Sequence, residues 1–424
     1  MVALVNPHPR GIRLRMKDHP PADTSPLERT PWAAVLILIG AGVAASFQVG
    51  KAPPVLTEMR REFGMSLVLA GWILGTFNVI GLALGAFTGA VADALGRRRL
   101  LVLGLITQAA ASLAGGLSPW VWLLLLTRVL EGLGFLVVAV CGPALIVRIA
   151  RARDLRLALS GWSCYVPAGM SAIMVIAPLV TGPFGWRGLW VFNALVLGGY
   201  ALLVRTFVPP STRTGVPARG ALSMILRDLL RTATSLGPLL LALTFSTYTL
   251  QWLSVMGFLP TLLVEQYGLG TGPASILTAL VVAANVPGNL AGGWLMGRGA
   301  GRASLIVTAS LLMGLSSLVI YAEGLPFGIR YAGCLFFAGA GGLLPAAVIS
   351  GAPVHAPTAD LVATTNGLLM QGSQLGQMAG PPALALLISR AGGWHAAPWL
   401  LCGSAALGIL LSFWLAFLER AVRR

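Results

Sequence analysis

Charge is scarce in this chain. Asp, Glu, Lys and Arg together make up 10% of 424 residues, where a soluble domain carries about 25%. That absence excludes a soluble enzyme and a disordered chain, because neither tolerates a composition that is 56% hydrophobic. Acidic residues are scarcer still, 13 against 29 basic ones, which leaves a net charge of +16. Such a surplus could mark a nucleic-acid partner. The basic residues, however, fall in short clusters between apolar runs, the distribution that the positive-inside rule produces, so no nucleic-acid partner is expected. Lysine is nearly absent: Lys17 and Lys51 are the two, and the rest of the basic residues are arginine. Cysteine is limited to Cys141, Cys164, Cys334 and Cys402, all inside apolar runs and without CxxC spacing. Neither a disulfide framework nor a metal site is expected from them. The sequence also lacks G-x-x-x-x-G-K, HExxH and GxSxG, so no ATP-driven pump and no zinc or serine hydrolase is read, and no cofactor.

What the chain has in quantity is apolar length. Glycine reaches 53 residues and mean hydropathy is +0.83. A membrane-spanning helix needs roughly 20 apolar residues. Apolar runs fall at 32–52, 67–91, 99–117, 119–147, 158–181, 187–207, 237–263, 273–296, 303–322, 328–352, 362–389 and 395–418. We number these spans 1 to 12. Residues 1–31 are polar and Pro-rich, with no apolar stretch and cleavage site of a signal peptide, and read as a flexible tail. Of the basic residues, 22 fall on the side of the termini and 6 on the other, counting Lys51 among the six, and Arg128 lies within span 4. That bias places both termini in the cytoplasm; the preference for arginine over lysine points to a GC-rich bacterial genome, so a bacterial inner membrane is expected.

The sequence repeats itself. Phe63-Gly64-Met65-Ser66 after span 1 matches Tyr267-Gly268-Leu269-Gly270 after span 7, 204 residues later, and Gly89 matches Gly293 at the same offset. Gly161 matches Gly367, and Gly185-Trp186-Arg187 matches Gly393-Trp394-His395, at offsets of 206 and 208. The economical organisation is an N-terminal six-helix half, 32–207, a central cytoplasmic loop, 208–236, and a C-terminal half, 237–424. Internal repeats of this kind are common in transporters, with the site at the interface between the copies.

Two motifs carry chemistry. At the turn between spans 2 and 3 stands Gly89-Ala-Val-Ala-Asp93-Ala-Leu-Gly96-Arg97-Arg98-Arg99. It resembles the signature loop of the major facilitator superfamily, G-x-x-x-D-x-x-G-R-R. Glycine permits the tight turn, and the acid can pair with a basic residue or a helix N-terminus. The resemblance implies a cytoplasmic latch in which Gly89, Asp93, Gly96, Arg97 and Arg98 hold the inner side shut. In the second copy, Gly293 to Arg302, Gly297 stands where the acid would fall, so an acid for that half must come from elsewhere. Within span 4, Arg128-Val-Leu-Glu131-Gly132-Leu-Gly134 is similar to the family's second motif, R-x-x-Q/E-G-x-G. Eight residues in from Trp120, Arg128 lies about 12 Å deep in a core about 30 Å thick. Isolated charges at that depth cost roughly 2.5–3.5 kcal/mol each. At i and i+3, Arg128 and Glu131 share a helix face and can neutralise each other. The pair either ties span 4 to a neighbour, or holds an anionic substrate on Arg128, or carries a coupling proton on Glu131.

Polar and aromatic residues inside the spans are candidates for a cavity: Gln48, Asn78, Trp162, Tyr165, Tyr248, Gln251, Trp252, Asn285, Asn289, Gln371 and Gln374. Amides and aromatics suit a pocket for a small solute, although any one of them also serves as an interhelical hydrogen bond or an interfacial aromatic. Glycines four apart give span 2 (Gly81, Gly85, Gly89) and span 11 (Gly372, Gly376, Gly380) smooth faces on which helix backbones can approach closely. The resemblance implies that these two faces meet across the halves; packing within one half is the alternative. His355 and Asp360 match the H-x4-D pattern of membrane acyltransferases, on the loop between spans 10 and 11, without a companion block.

The resemblance spans residues 32–420. It implies an all-α membrane protein, twelve transmembrane helices in two six-helix halves, acting as a monomeric secondary transporter by alternating access. The expected cargo is a small organic solute, an anion first, with protons as candidate coupling ions. Proton-coupled drug efflux is the alternative, and a membrane acyltransferase built on His355 the remote one. Gly185-Trp186-Arg187 and the Gln/Gly-rich span 11 resemble the cyanate and nitroimidazole permease branch. In span 5, Pro167 and Gly169 stand without the Gly-Pro pair of drug/proton antiporters, which weighs against efflux.

Overall fold

The computed structural model describes residues 30–210, 221–358 and 361–423; the side chains of 86, 89–95, 221–225 and 421–423 lie outside the described set. All regular secondary structure among the described residues is helical. Among the described residues ten helices are long and apolar enough to cross a membrane. One of them, Tyr165–Phe207, is 43 residues long and turns at Gly185 (φ 62°, ψ −172°). Only glycine holds that backbone cheaply, and the turn divides the rod into spans 5 and 6. Span 11, Val362–Ala391, is helical over 30 residues but too rich in amides to register by hydropathy. With these two the count is twelve.

Several boundaries differ from the sequence expectation. Span 1 does not stop near residue 52. Helix Trp32–Gly50 bends at Lys51 and continues as Ala52–Phe63. Pro53 and Pro54 cannot donate to the carbonyls four residues back, which loosens the ladder at the bend. This extension ends at Gly64 in the left-handed region (φ 61°), and its repeat partner Gly268 ends span 7 the same way (φ 64°). The 204-residue offset therefore survives in backbone geometry. Span 2 is interrupted by a 3-10 turn, Thr76–Asn78, between Leu67–Gly75 and Val79–Leu95. The central segment holds a helix, Ala221–Ala233, where a polar loop was expected. Its leucines and isoleucine recur at helical spacing opposite Arg227, Asp228 and Arg231, a period that outweighs its overall polarity.

Spans 1–6 pack mostly on one another, and spans 7–12 do the same; the two groups meet where span 2 lies on span 11, span 5 on span 8, and the extension of span 1 on span 7. Far from the termini, this seam is tight. A Cβ added at Gly75 would stand 2.4 Å from the Met378 carbonyl oxygen, and one at Gly71 would stand 2.8 Å from Pro382. Ser171 donates to the Ala279 carbonyl (3.1 Å), Ser275 to the Met174 carbonyl (2.5 Å), and Arg60 pairs with Glu265 (2.8 Å). We call this end the far face.

One expectation about the seam is corrected. Gly81 and Gly85 do face span 11, against Gln374 and Gln371, but Gly372, Gly376 and Gly380 face span 7 within their own group. Added Cβ atoms there would stand 2.2–2.6 Å from the carbonyl oxygens of Ala242, Ser246 and Leu250. The smooth face is where spans 7 and 11 come closest. The seam with span 2 uses the glutamines on the other side of span 11, which carry polar side chains long enough to bridge to a neighbour.

Candidate functional site

Span 4 brings Arg128 and Glu131 to one face, as the i, i+3 spacing dictates, and neither is more than 1% exposed. Arg128 Nη1 lies 2.6 Å from Glu131 Oε2. The same guanidinium donates to the carbonyls of Gln48 (2.7 Å) and Ile73 (3.1 Å) and lies over the Phe77 ring, 4.8 Å from its centroid. Those carbonyls sit at the bend of span 1 and just before the 3-10 turn of span 2, so both irregularities serve the arginine. Gly132 allows the approach: a Cβ there would stand 1.9 Å from the Phe77 carbonyl oxygen.

The second carboxylate oxygen has an unexpected partner. Lys51, counted from sequence as a residue of the far side, is fully buried, with Nζ 2.7 Å from Glu131 Oε1 and 2.7 Å from Ser112 Oγ. Ser112 in turn donates to the Trp190 carbonyl (2.9 Å), and the ammonium rests 4.2 Å from the centroid of the Trp190 ring. Spans 1, 3, 4 and 6 thus converge on one carboxylate. Moving Lys51 inside leaves five basic residues on the far side and sharpens the charge bias. A signal was present in the sequence: the chain stays apolar through Pro53, Pro54, Val55 and Leu56 after Lys51, as a continuing span does.

The other candidates divide into clusters. Trp162 stacks on Tyr165 (4.6 Å between centroids), Tyr165 on Phe135 (6.1 Å), and Phe135 meets Phe77 (5.3 Å). This aromatic wall joins spans 2, 4 and 5; Phe77 and Phe135 went unremarked in the sequence because single phenylalanines are ordinary in apolar runs. On spans 7 and 8, Asn285 donates to the Tyr248 hydroxyl (3.3 Å) and to the Ala338 carbonyl (2.9 Å), and Asn289 donates to Asn285 Oδ1 (2.7 Å). Gln371 donates to the Leu82 carbonyl of span 2 (2.9 Å), which makes it a seam residue. Gln374 meets Gly81 there. Gln251 bonds its own helix at Thr247 (3.1 Å), and Trp252 is buried next to it on span 7. Asn78 is buried on the 3-10 turn of span 2. Gln48 is buried with no side-chain partner, although its carbonyl serves Arg128.

In the loop between spans 2 and 3, Gly96 takes φ 87° and caps the helix that starts at Arg97, a conformation that excludes most other residues. Arg98 donates to the Arg205 carbonyl at the end of span 6. The side chains of Gly89 and Asp93 lie outside the described residues. In the second copy, Arg302 pairs with Glu419 of span 12, and so does His355 Nε2 (3.1 Å). His355 is therefore a partner of that pair, and Asp360 lies outside the described residues.

Among the described residues the fold is an internally repeated helical bundle of the length and composition of a membrane protein, with buried charge on span 4 and a tight seam between two groups of spans. The sequence matches the model of the Major Facilitator Superfamily over residues 36–381. The chain belongs to that superfamily. Among curated proteins it is 27% identical to the lincomycin resistance protein of Streptomyces lincolnensis, a match over 43% of this chain and 39% of that protein. It is also 27% identical to NiaP of Bacillus subtilis, named as a candidate niacin/nicotinamide transporter, over 81% of this chain and 86% of that one. The first of these matches thus spans about two fifths of the relative's length. A solved bacterial homologue of the human lysosomal transporter Spinster, inward-facing and unoccupied, superposes with a TM-score of 0.78 at 15% identity, covering 92% of this chain and 97% of that one.

Proposed function

We propose that this chain carries a small organic anion across a bacterial inner membrane by alternating access, as a monomer with both termini in the cytoplasm. The observation behind this reading is a pair of chemically distinct clusters, one in each half of the chain. Phe77, Phe135, Trp162 and Tyr165 form an aromatic wall on spans 2, 4 and 5. Tyr248, Asn285 and Asn289 form a polar wall on spans 7 and 8. A planar solute with polar substituents suits such walls, since aromatic faces stack and amides orient. Niacin, for which NiaP is named, is a planar aromatic carboxylate, and the alignment with NiaP covers most of both chains. The Arg128–Glu131 pair is the coupling element: a proton arriving on Glu131 loosens its hold on both cations and frees spans 1 and 2 to move. The Gly185-Trp186-Arg187 sequence is what supports a likeness to the cyanate and nitroimidazole permease branch.

The test is uptake of radiolabelled nicotinate into proteoliposomes under an imposed pH gradient. The expected result is accumulation that Trp162→Ala lowers at least tenfold. Glu131→Gln should abolish gradient-driven accumulation yet leave nicotinate exchange. Absence of nicotinate flux, together with no displacement by benzoate, would overturn the reading. Efflux is the second reading, favoured by the match to a lincomycin resistance protein. It requires that expression raise the lincomycin or puromycin tolerance of a sensitive host.

A further inference from the structure

The charge count around Glu131 does not close. Lys51, Arg128 and Glu131 bring two cations and one carboxylate into a region where none is more than 1% exposed. The contacts of Lys51 are those of an ammonium. Its Nζ donates to Glu131 and to Ser112, whose own proton is committed to the Trp190 carbonyl, and it rests on the face of the Trp190 ring. With Lys51 as an ammonium one positive charge is left over, in surroundings where an uncompensated ion is strongly unfavourable, so the amine either sheds its proton or is met by an anion.

Next to this surplus lies a layer of unpaired amides. Gln48 precedes Lys51 by three residues, Gln108 precedes Ser112 by four, and Asn193 follows Trp190 by three. Residues three or four apart share a helix face. Spans 1 and 3 run away from the termini and span 6 runs back, so all three steps lead the same way, one turn toward the face that carries the termini. Gln48, Gln108 and Asn193 are each 0% exposed. Both polar atoms of every one of these amides lack a hydrogen-bond partner, as does Trp190 Nε1. On span 4 the same step from Glu131 reaches Gly134, which puts backbone rather than a side chain against Gln108. Buried polar groups are seldom left unpaired. Ordered water would satisfy the amides and leave the surplus charge unanswered; an anion answers both.

We propose that a small monovalent anion of chloride's size resides inside the bundle of spans 1, 3, 4 and 6, held by the charge of Lys51 and by amide N–H groups of Gln48, Gln108 and Asn193. Because Lys51 meets Ser112 of span 3 and Trp190 of span 6, we assign this as a resident ion and not the carried solute.

The purified full chain tests this without any transport measurement. Its thermal unfolding midpoint is followed as sodium chloride replaces sodium gluconate at constant ionic strength, and crystals grown in bromide are examined for anomalous density. The wild type should gain about 2–4 °C, saturably, with bromide density beside Asn193 and Gln108. Lys51→Met removes the surplus charge and should abolish the gain. Asn193→Leu keeps the charge and should raise the half-saturating chloride concentration at least tenfold; it carries the test if Lys51→Met does not fold. Equal midpoints in chloride and gluconate overturn the proposal. So does a chloride gain retained by Lys51→Met, an unchanged half-saturation in Asn193→Leu, or water in place of bromide at the amides. Failure of the nicotinate assay leaves each of these readouts intact.

Discussion

Glu131 does more than its helix partner requires. Its two oxygens face two different cations, at 2.6 and 2.7 Å, so that one carboxylate ties span 4 to span 1 and, through Lys51, to spans 3 and 6. Replacing it with glutamine would strand two buried charges, and breaking a buried pair costs about 3–5 kcal/mol. Removing Lys51 instead leaves a neutral Arg128–Glu131 pair. Unfolding of the purified variants in detergent should therefore find Glu131→Gln less stable than Lys51→Met. The opposite order would mean that Lys51 is not the surplus charge. Sequence reasoning found Arg128 and Glu131 because charge inside a span is conspicuous. It missed Lys51 because a lysine at the end of an apolar run looks like an ordinary boundary.

At the scale of elements, small residues decide which helices touch. A glycine every fourth residue identifies a close approach but not the neighbour. Span 11 shows the difference, since its glycine face meets span 7 and its glutamines meet span 2. The two contacts differ in how they would tolerate a methyl group. At Gly376 an added Cβ meets the Ser246 carbonyl oxygen at 2.2 Å, which is backbone and cannot step aside. At Gly81 it meets the Gln374 side chain at 2.8 Å, which can rotate away. Gly376→Ala should lose about 1–3 kcal/mol of stability, the usual cost of overpacking, while Gly81→Ala loses little. Denaturant titration of the two purified variants checks the ranking. Equal losses would place span 2 as close to span 11 at Gly81 as span 7 is at Gly376.

Across the whole molecule, the far end is held by a link that joins the two groups of spans. Arg60 on the extension of span 1 pairs with Glu265 at the end of span 7, and Trp394 before span 12 donates to the other oxygen of Glu265 (3.1 Å). The pair is partly exposed, 25% and 38%, so it contributes no more than about 1 kcal/mol. Glu265→Gln should therefore favour far-side opening by up to about fivefold, which is what such an energy allows. A cysteine placed at Met378, in a chain without its four native cysteines, reports this as faster labelling by a membrane-impermeant maleimide. Unchanged labelling would show that packing at Gly71 and Gly75 alone keeps this end shut. The termini end has its own ties: Arg98 on the Arg205 carbonyl, and Arg302 with His355 on Glu419.

Span number, helical class and duplication were legible in the order of residues, because they rest on local physics. Apolar length sets a span, glycine sets a turn with positive φ, and a repeat is an offset in one dimension. Gly64 and Gly268 show this most directly, being 204 residues apart with nearly the same φ. The partners of a buried charge are another matter. Lys51 meets Ser112 and Glu131 across 61 and 80 residues of chain, and Arg302 meets Glu419 across 117. No local period records such distances, and only the packing of the helices decides which charge is neutralised, by which partner, and which is left over.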